Sequence, residues 1–288
     1  MQQHRQKAKD TLQCGALYVV ATPIGNLADI SLRALAVLES ADVICAEDTR
    51  VTAKLLHAYG LHTPLISLRE HNECETAQQI IVRLQNKEIV AQVSDAGTPA
   101  ICDPGARLVQ TVKEAGLPVF AVPGASAVLC ALAASGITAD DFYFGGFLPA
   151  KKSEREKRLN ELWRINCPVI VYETPHRIMD TLEDIFRLPE RKITLARELT
   201  KTYESFISGN AQEISGCLKD NPEQIRGEMV LLFHPLIRKN ELHNDLEKII
   251  DILAAELPTK QAANIAAQIS GENKKILYEM ILRKKEEN

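Results

Sequence analysis

The sequence predicts an α/β protein with a mostly parallel sheet in an N-terminal domain, a mixed α/β second domain and a small helical module at the C-terminus. Three observations support this fold class. Short apolar runs alternate with helical stretches in the first half, strand-like runs follow one another more closely after residue 168, and three helical stretches follow Pro235. At 288 residues the chain is long enough for two domains.

The first half contains four strand-like runs separated by helical stretches. Strands are expected at residues 17–21, 43–46, 88–93 and 118–122, and helices at 30–39, 76–85 and 104–114, with a further helix ending near residue 60. Asp103 is expected to cap the helix at 104–114, because Pro104 then takes the first helical position. Residues 1–15 are polar and predict a disordered tail, so the first domain is expected at 16–135.

Glycine and aromatic residues cluster between 136 and 149, which predicts the domain boundary in or just before that segment. The second domain is expected at 136–236, with a charged helix at 153–163 and strands at 169–172, 193–196, 203–208 and 229–233. Residues 237–288 predict helices at 241–256, 259–270 and 273–284. Such a trio is typical of a helix-turn-helix module, and a helical cap that packs on the body or on a dimer partner is the alternative.

Charge and cysteine content narrow the function classes. The net charge of −4 argues against a protein coated in positive charge but leaves room for a local basic patch. The seven cysteines include no C-x-x-C pair, which excludes zinc ribbons and thioredoxin-type motifs. No apolar run approaches the roughly 20 residues that cross a bilayer, and the first residues lack the apolar stretch of a signal peptide. A cytoplasmic location is expected.

Several catalytic motifs are missing, namely G-x-G-x-x-G, the P-loop Gly-Lys pair, G-x-S-x-G and H-E-x-x-H. What remains is a set of loops, rich in Pro, Gly and charged residues, next to the predicted strands. They lie at 21–26, 46–50, 93–99, 122–126, 172–177, 196–201 and 227–228. Loops at the carboxyl edge of an α/β sheet converge on a crevice where ligands bind.

Six of these segments, in order along the chain, resemble those of the tetrapyrrole methylase superfamily of S-adenosylmethionine-dependent enzymes. Within it, the chain is most similar to the enzymes that methylate small-subunit ribosomal RNA. The segments are Thr22-Pro23-Ile24-Gly25-Asn26-Leu27, Ala46-Glu47-Asp48-Thr49-Arg50, Val93-Ser94-Asp95-Ala96-Gly97-Thr98-Pro99, Pro123-Gly124, Tyr172-Glu173-(x)2-His176-Arg177 and Ala196-Arg197-Glu198-Leu199-Thr200-Lys201. The helical tail also resembles the C-terminal module of these enzymes.

The resemblance implies a two-domain tetrapyrrole-methylase-like fold with S-adenosylmethionine in the cleft, a homodimer and no metal. The implied reaction is 2′-O-methylation of a cytidine ribose in the decoding region of 16S ribosomal RNA in the small subunit. Carried over by position, the residues expected to bind the cofactor are Ser94, Asp95, Ala96, Gly97, Thr98, Pro99, Pro123, Gly124, Ser126, Tyr172, Ala196, Arg197, Gly227 and Glu228.

The implied chemistry calls for a base, since a ribose hydroxyl is a poor nucleophile until its proton leaves. Asp95, Glu173 and Glu198 are the candidates, with His71 as a further one, and the sequence does not rank them.

Basic residues are the candidates for contacts with RNA. They are Arg50, Arg177 and Lys201 in the loops, and Lys151, Lys152, Arg155, Lys157 and Arg158 beside the aromatic stretch that ends at Phe147. The loop cations could instead bind the cofactor carboxylate or pair with neighbouring glutamates. The segment 151–158 could instead be a solvated helix face.

Two alternative functions remain open at this point. A methylase of the same fold could act on a tetrapyrrole of the precorrin type or on a protein, although the loop at 22–26 and the helical tail favour RNA. A non-catalytic RNA-binding protein of ribosome assembly is the alternative from another class. The intact polar residues in the strand-end loops argue against it.

Overall fold

The computed structural model describes residues 2–236, 241–270 and 272–287. The chain divides into two compact units, residues 1–235 and 236–288. Most predicted elements are present, with bounds that differ by a few residues.

The first half forms a five-stranded parallel sheet. Its strands are β1 (Leu17–Val20), β2 (Val43–Ala46), β3 (Leu65–Ser67), β4 (Val90–Val93) and β5 (Val119–Val122). They lie in the order β3-β2-β4-β1-β5, and every neighbouring pair is parallel. Between residues 2 and 135, all of them described, the α-helices are α1 (Gln2–Lys9), α2 (Leu32–Ser40), α3 (Thr49–Ala58), α4 (Glu73–Gln85), α5 (Ala106–Glu114) and α6 (Ala127–Ala134).

Consecutive residues of a strand point to opposite faces of the sheet, and both faces are buried here. Tyr18 packs in one core with Val37 of α2, whereas its neighbour Leu17 packs in another with Ile80 of α4 and Leu108 of α5. Helices therefore cover both faces, and the carboxyl ends of the strands remain accessible at one edge. The predicted parallel sheet is confirmed.

The second half forms a mixed five-stranded sheet. Its strands are β6 (Tyr143–Phe147), β7 (Val169–Glu173), β8 (Ile193–Arg197), β9 (Ser205–Gly209) and β10 (Met229–Phe233), in the order β6-β7-β10-β8-β9. Only β6 and β7 pair in parallel among these described strands. Three α-helices accompany them in residues 143–236: α7 (Lys152–Trp163), α8 (Ile178–Phe186) and α9 (Ala211–Asp220).

Helix α6 joins the two sheets. Its residues Val128 and Ala131 are buried in a core with Val230 and Leu232 of β10. The predicted boundary near residue 136 therefore separates two sheets inside one compact unit. As a result, the carboxyl edge of the first sheet lies against the second sheet.

The C-terminal unit contains α10 (Glu241–Glu256), α11 (Thr259–Ser270) and α12 (Lys274–Glu287). Its own small core includes Ile250, Ala263, Leu277 and Ile281, all of them buried. The three predicted helices are present.

The prediction of a disordered tail at residues 1–15 is wrong for most of that segment. Residues 2–9 form α1, which packs on α2 and pairs Arg5 and Lys9 with Glu39. A hydrogen bond from Lys9 and the two positive charges lower the pKa of Glu39, although partial burial raises it. The sequence of the tail alone does not reveal a partner that lies thirty residues away.

The predicted start of α5 is also wrong. The helix begins at Ala106, after Gly105 with φ +123°, and not at Pro104. One carboxylate oxygen of Glu73, on α4, accepts the backbone N–H groups of Gly105, Arg107 and Leu108 at 2.9, 2.8 and 3.0 Å. This carboxylate takes the place of a local cap, so Asp103 is left for another role.

Candidate active site

A cavity of about 390 Å³ opens at the carboxyl edge of the first sheet, against the ends of β7 and β10. We call it the central cleft. Its lining from the first half is Ile24, Glu47, Asp95, Ala96, Gly97, Thr98, Ile101, Cys102, Asp103, Ser126, Ala127 and Val128, and from the second half Phe147, Tyr172, Glu173, Thr174, Pro175, Gly227, Glu228, Met229 and Val230. The volume is in the range of small-ligand sites.

Eight of the fourteen predicted cofactor residues line this cleft: Asp95, Ala96, Gly97, Thr98, Ser126, Tyr172, Gly227 and Glu228. The other six do not line it: Ser94, Pro99, Pro123, Gly124, Ala196 and Arg197.

The loop after β4 is held in shape by the loops after β1 and β5. Thr22 and Gly97 exchange two backbone hydrogen bonds, of 2.8 and 3.1 Å, and the Thr98 hydroxyl donates to the Ala125 carbonyl at 3.2 Å. Gly97 has φ +77°, and a Cβ there would lie 3.2 Å from a methyl group of Ile24. A small residue at this position therefore keeps the backbone open to a ligand.

The predicted residues outside the cleft shape its loops from behind. The buried Ser94 hydroxyl donates to the Ala96 carbonyl at 3.2 Å. A Cβ on Gly124 would lie 2.9 Å from the Cβ of Ala21, so this glycine lets the β5 loop pass close to the β1 loop. Ser94 and Gly124 thus support the cleft without lining it.

Three carboxyl groups that line the central cleft have no cationic partner within the described residues, namely those of Glu47, Asp95 and Asp103. The Asp95 carboxylate accepts the backbone N–H of Asp48 at 3.0 Å, and the Asp95 N–H donates to Glu47 at 3.4 Å. Burial raises the pKa of Glu47, and the negative charge of Asp103 raises it further. Burial also raises the pKa of Asp103, although a hydrogen bond with Ser94 opposes the shift. The cleft therefore carries excess negative charge and favours a cationic ligand.

Aromatic rings form the opposite wall. Tyr172 makes edge contacts with Phe144 and Phe147, at ring-centroid distances of 5.0 and 5.2 Å. Burial raises the pKa of the Tyr172 phenol to about 12, so this group stays neutral. The wall can pack against the flat, apolar part of a ligand.

The Glu173 side chain is fully buried and both of its oxygens are occupied. One accepts hydrogen bonds from Arg177 at 2.8 Å and from the backbone of Thr174 at 2.7 Å, and the other accepts the Thr181 hydroxyl at 2.7 Å. This geometry orients the loop after β7. It does not support a role as base for Glu173, or an RNA contact for Arg177.

Glu198 is likewise engaged in a structural contact. Its Oε1 accepts hydrogen bonds from Lys201 and from the backbone of Glu228, both at 2.9 Å. Burial raises the pKa of Glu198, but these hydrogen bonds and the Lys201 charge outweigh it and hold the pKa below its ordinary value. A Cβ on Gly227 would lie 1.9 Å from this oxygen, so Glu198 shapes the turn that lines the cleft.

Arg197 acts from behind the same turn. It is buried and donates to the Ser205 hydroxyl at 2.9 Å and to the Arg226 carbonyl at 3.2 Å. Its neighbour Ala196 is buried in the core beside α6. Arg197 thus positions the segment before β10, and Ala196 packs in the core.

The basic residues predicted to contact RNA divide into exposed and buried groups. Lys151 precedes α7 and is exposed, as are Lys152 and Lys157 on α7. Arg158 donates to the Tyr143 hydroxyl at 3.1 Å. The prediction is wrong for Arg155, whose side chain is only 4% exposed and pairs with Asp184 at 2.8 Å. A buried, paired guanidinium is not available to phosphate.

The remaining predicted candidates lie outside the lining of the cleft. Arg50 is 82% exposed and pairs with Asp48, while Lys201 bridges Glu198 and Glu228. His71 and His176 are exposed and do not line the cleft.

Sequence reasoning missed Glu47, Asp103 and Phe147 as lining residues. Glu47 belongs to a loop that the sequence identified, but it was taken there as an ion-pair partner. Asp103 was assigned to a helix cap, and only the contact of Glu73 with α5 shows that the cap is not needed.

Comparison with known families decides between the folds that could carry such a cleft. The family model described as Tetrapyrrole (Corrin/Porphyrin) Methylases matches residues 16–215. The chain belongs to the tetrapyrrole methylase family. The resemblance in the sequence motifs and the predicted fold class are confirmed. A second family model, described as RsmI C-terminal HTH domain, matches residues 240–285 of this methylase.

Sequence similarity to other proteins extends over nearly the full length of the methylase. A protein of Neisseria meningitidis serogroup A, named Ribosomal RNA small subunit methyltransferase I, is 55% identical over 286 residues, which is 98% of each chain. One of the same name from Escherichia coli O157:H7 is 43% identical and covers 98% of this chain and 99% of its own.

Solved structures share the fold of the methylase body. Diphthine synthase matches with a TM-score of 0.60 and 14% identity, covering 76% of this chain and 90% of its own. The methyltransferase CobJ matches with a TM-score of 0.57 and 22% identity, covering 77% and 95%.

The described part of the methylase contains neither a membrane-spanning helix nor a cluster of metal ligands. Its helices are too short or too polar to cross a membrane. Among residues 2–236, 241–270 and 272–287, no three His, Cys, Asp or Glu side chains come together as metal ligands.

Proposed function

We propose that this methylase transfers a methyl group from S-adenosylmethionine to the 2′-oxygen of a cytidine ribose in the decoding region of 16S ribosomal RNA. The observation that carries the proposal is the similarity to proteins named Ribosomal RNA small subunit methyltransferase I, which extends through the C-terminal unit as well as the body. Relatives that act on small rings share only the body fold.

The cofactor is S-adenosylmethionine, and the central cleft fits it. The open backbone at Gly97 and the ring of Tyr172 suit a nucleoside, and the carboxyl groups of Glu47, Asp95 and Asp103 suit a sulfonium and an ammonium group. The cofactor supplies an electrophilic methyl group on a positively charged sulfur.

We propose Asp95 as the group that accepts the proton of the ribose hydroxyl. Of the candidates Asp95, Glu173 and Glu198, it alone lines the cleft without a cationic partner in the described residues. Its Oδ1 accepts one backbone N–H, which orients the carboxylate, and its Oδ2 has no hydrogen bond within the described part of the chain. A placed base typically contributes about 10²–10⁴-fold to the rate.

The test is transfer of labelled methyl from S-adenosylmethionine to small ribosomal subunits that lack their native ribose methylation, with naked ribosomal RNA in parallel. We expect label in a 2′-O-methylcytidine, and an Asp95→Asn variant that, at saturating cofactor, loses at least about 100-fold in kcat.

Two outcomes would overturn the proposal. Cofactor binding without label in either RNA would direct the search to tetrapyrrole or protein acceptors. Cofactor binding without methyl transfer to any acceptor would favour a non-catalytic role in ribosome assembly.

We further propose that the chain acts in the cytoplasm as a homodimer on the assembled small subunit. The sequence resemblance supports the dimer, and the ribosomal substrate supports the location. Sedimentation equilibrium at micromolar concentration should give twice the 31.9 kDa chain mass.

A further inference from the structure

A second cavity of about 510 Å³ lies next to the central cleft. The two cavities share four lining residues and adjoin there: Ile24, Asp95, Ala96 and Glu228. We call the second one the side cavity. A group bound there would meet a ligand of the central cleft across the Asp95 carboxylate.

The side cavity is built by the loop after β1 and by one face of α3. Val51, Lys54, Leu55 and Ala58 line it at the i, i+3, i+4 and i+7 spacing of a single helix face. The hydroxyl of Tyr59, which caps α3, donates to the Leu27 carbonyl at 2.5 Å and holds the loop to the helix. The cavity is thus a built feature of the loop and helix.

Its rim carries apolar side chains that the fold leaves in water. Leu27 is 49% exposed and Val51 is 40% exposed. Neither side chain is needed for the sheet core, whose contacts α3 makes through Leu56. Exposed apolar side chains at a cavity rim indicate a surface that packs against a ligand, such as the face of a nucleobase.

One cation beside this apolar surface has no anionic partner. Lys54 is exposed and forms no ion pair within the described residues. The neighbouring cations are engaged, because Lys201 contacts two glutamates and Arg50 contacts Asp48. An apolar face with a single free ammonium group matches a base and its phosphate.

Resting on the function proposed above, we propose that the side cavity binds the target nucleotide after it has left the RNA stack. Its base packs on Leu27 and Val51, its phosphate contacts Lys54 and its ribose lies at Asp95. Methyl transfer is an in-line displacement, so the acceptor must approach the methyl group from the side opposite the sulfur. The two cavities adjoin at Asp95, which allows that approach, and displacement of one nucleotide costs little in a loop or single strand.

The experiment measures KM and kcat for the RNA, cofactor affinity and the salt dependence of RNA binding in three variants of the full chain and in two matched controls. Lys54→Gln should raise the KM for RNA roughly fivefold and reduce the slope of log K against log salt by about 0.7, with kcat and cofactor affinity unchanged. Lys54→Arg should restore most of the affinity. Val51→Glu should lose RNA turnover and keep cofactor binding.

Matched controls carry the same chemical changes on helices at the other face of the sheet. Lys113→Gln on α5 and Val82→Glu on α4 alter exposed residues and should leave every parameter unchanged. If the wild type methylates RNA but the Lys54 and Val51 variants behave like these controls, the side cavity is not the acceptor site and the proposed function stands. Reduced cofactor affinity in Lys54→Gln would also overturn the inference. If the wild type transfers no methyl to RNA, both proposals fail together.

Discussion

At the scale of single residues, the carboxyl groups of Glu47, Asp95 and Asp103 dominate the central cleft. None of them pairs with a cation within the described residues, and burial and mutual repulsion raise the pKa of Glu47 and of Asp103. Because the pKa of Glu47 is raised in the folded state, the free energy of unfolding falls as the pH increases. The fall extends from the ordinary pKa of 4.5 to the higher pKa of the folded state. The three carboxyl groups therefore repel one another, and a bound cation would reduce this repulsion.

Glu47→Gln should separate stability from ligand binding. The variant should have a higher Tm than the wild type at pH 7, and the difference should vanish below about pH 4, where the carboxyl is protonated in both states. Its affinity for S-adenosylmethionine should fall roughly fivefold, and its affinity for the neutral-sulfur product should fall less. Thermal scans from about pH 3 to pH 8 and titration calorimetry test this. An unchanged Tm at pH 7 would contradict the electrostatic argument.

Glu173→Gln should lower the free energy of unfolding and leave kcat largely unchanged. The substitution leaves Arg177 without its charged partner, so the free energy of unfolding should fall by about 2 kcal/mol. The kcat of the folded protein should stay within a few-fold of the wild type, whereas Asp95→Asn should lose kcat with little change in stability. Urea titrations and single-turnover rates distinguish the two residues. A loss of kcat in Glu173→Gln without loss of stability would reassign the base.

The sequence identified the loops of the site but not the role of each side chain. Asp95, Glu173 and Glu198 are equivalent by position, since each follows or ends a strand. Only the fold shows that Thr181 and Arg177 enclose Glu173, because Thr181 approaches from the next helix. The Thr181 contact depends on tertiary distance, which spacing along the chain does not report, whereas the pairing of Arg177 with its near neighbour Glu173 was an alternative that the sequence left open.

At the scale of elements, the N-terminus of α5 shows how a tertiary contact replaces a local rule. Asp103-Pro104 satisfies the sequence pattern for a helix start, yet Glu73 of α4 occupies the free N–H groups. The helix starts two residues later and Asp103 faces the cleft.

Without the Glu73 carboxylate, the loop that precedes α5 should lose the hydrogen bonds that hold it in place. Glu73→Ala should lower the free energy of unfolding by roughly 2–4 kcal/mol, because three buried N–H groups lose a charged acceptor. Cofactor affinity should fall as well, since Ile101 to Asp103 line the cleft. Glu75→Ala, at an exposed position on the same helix, is the control and should change neither quantity. Equal effects of the two variants would contradict the capping role.

Elements without a periodic pattern were not predicted. Helix α6 has the sequence AVLCALAA, which is apolar on every side and shows no amphipathic spacing. It packs on the second sheet through Val128 and Ala131. A short helix of this kind has no sequence signal that distinguishes it from a strand.

At the scale of the whole molecule, the predicted parallel sheet, mixed sheet and helical module are present, and the chain divides into two compact units. Alternating strands and helices predicted the parallel sheet because each run is long enough to show its period. The sequence did not predict that both sheets share one compact unit, since α6 makes that connection. Helices α10 and α11 were predicted with their bounds because both are amphipathic and end at a clear turn.

The C-terminal unit has a core of its own, so its contribution to turnover can be tested separately from cofactor binding. Ala263 is fully buried in the core of that unit, so Ala263→Asp should unfold the three helices and leave residues 1–235 intact. Cofactor affinity should equal that of the wild type, because the cleft lies entirely within the first unit. If the helical unit is a second point of attachment to RNA, the KM for small subunits should rise at least roughly tenfold. Calorimetry, circular dichroism and turnover on subunits measure these effects, with the exposed neighbour Asn264→Asp as control. If Ala263→Asp turns over subunits like the wild type, the helical unit does not bind RNA, and the basic face of α7 becomes the place to look for the second attachment.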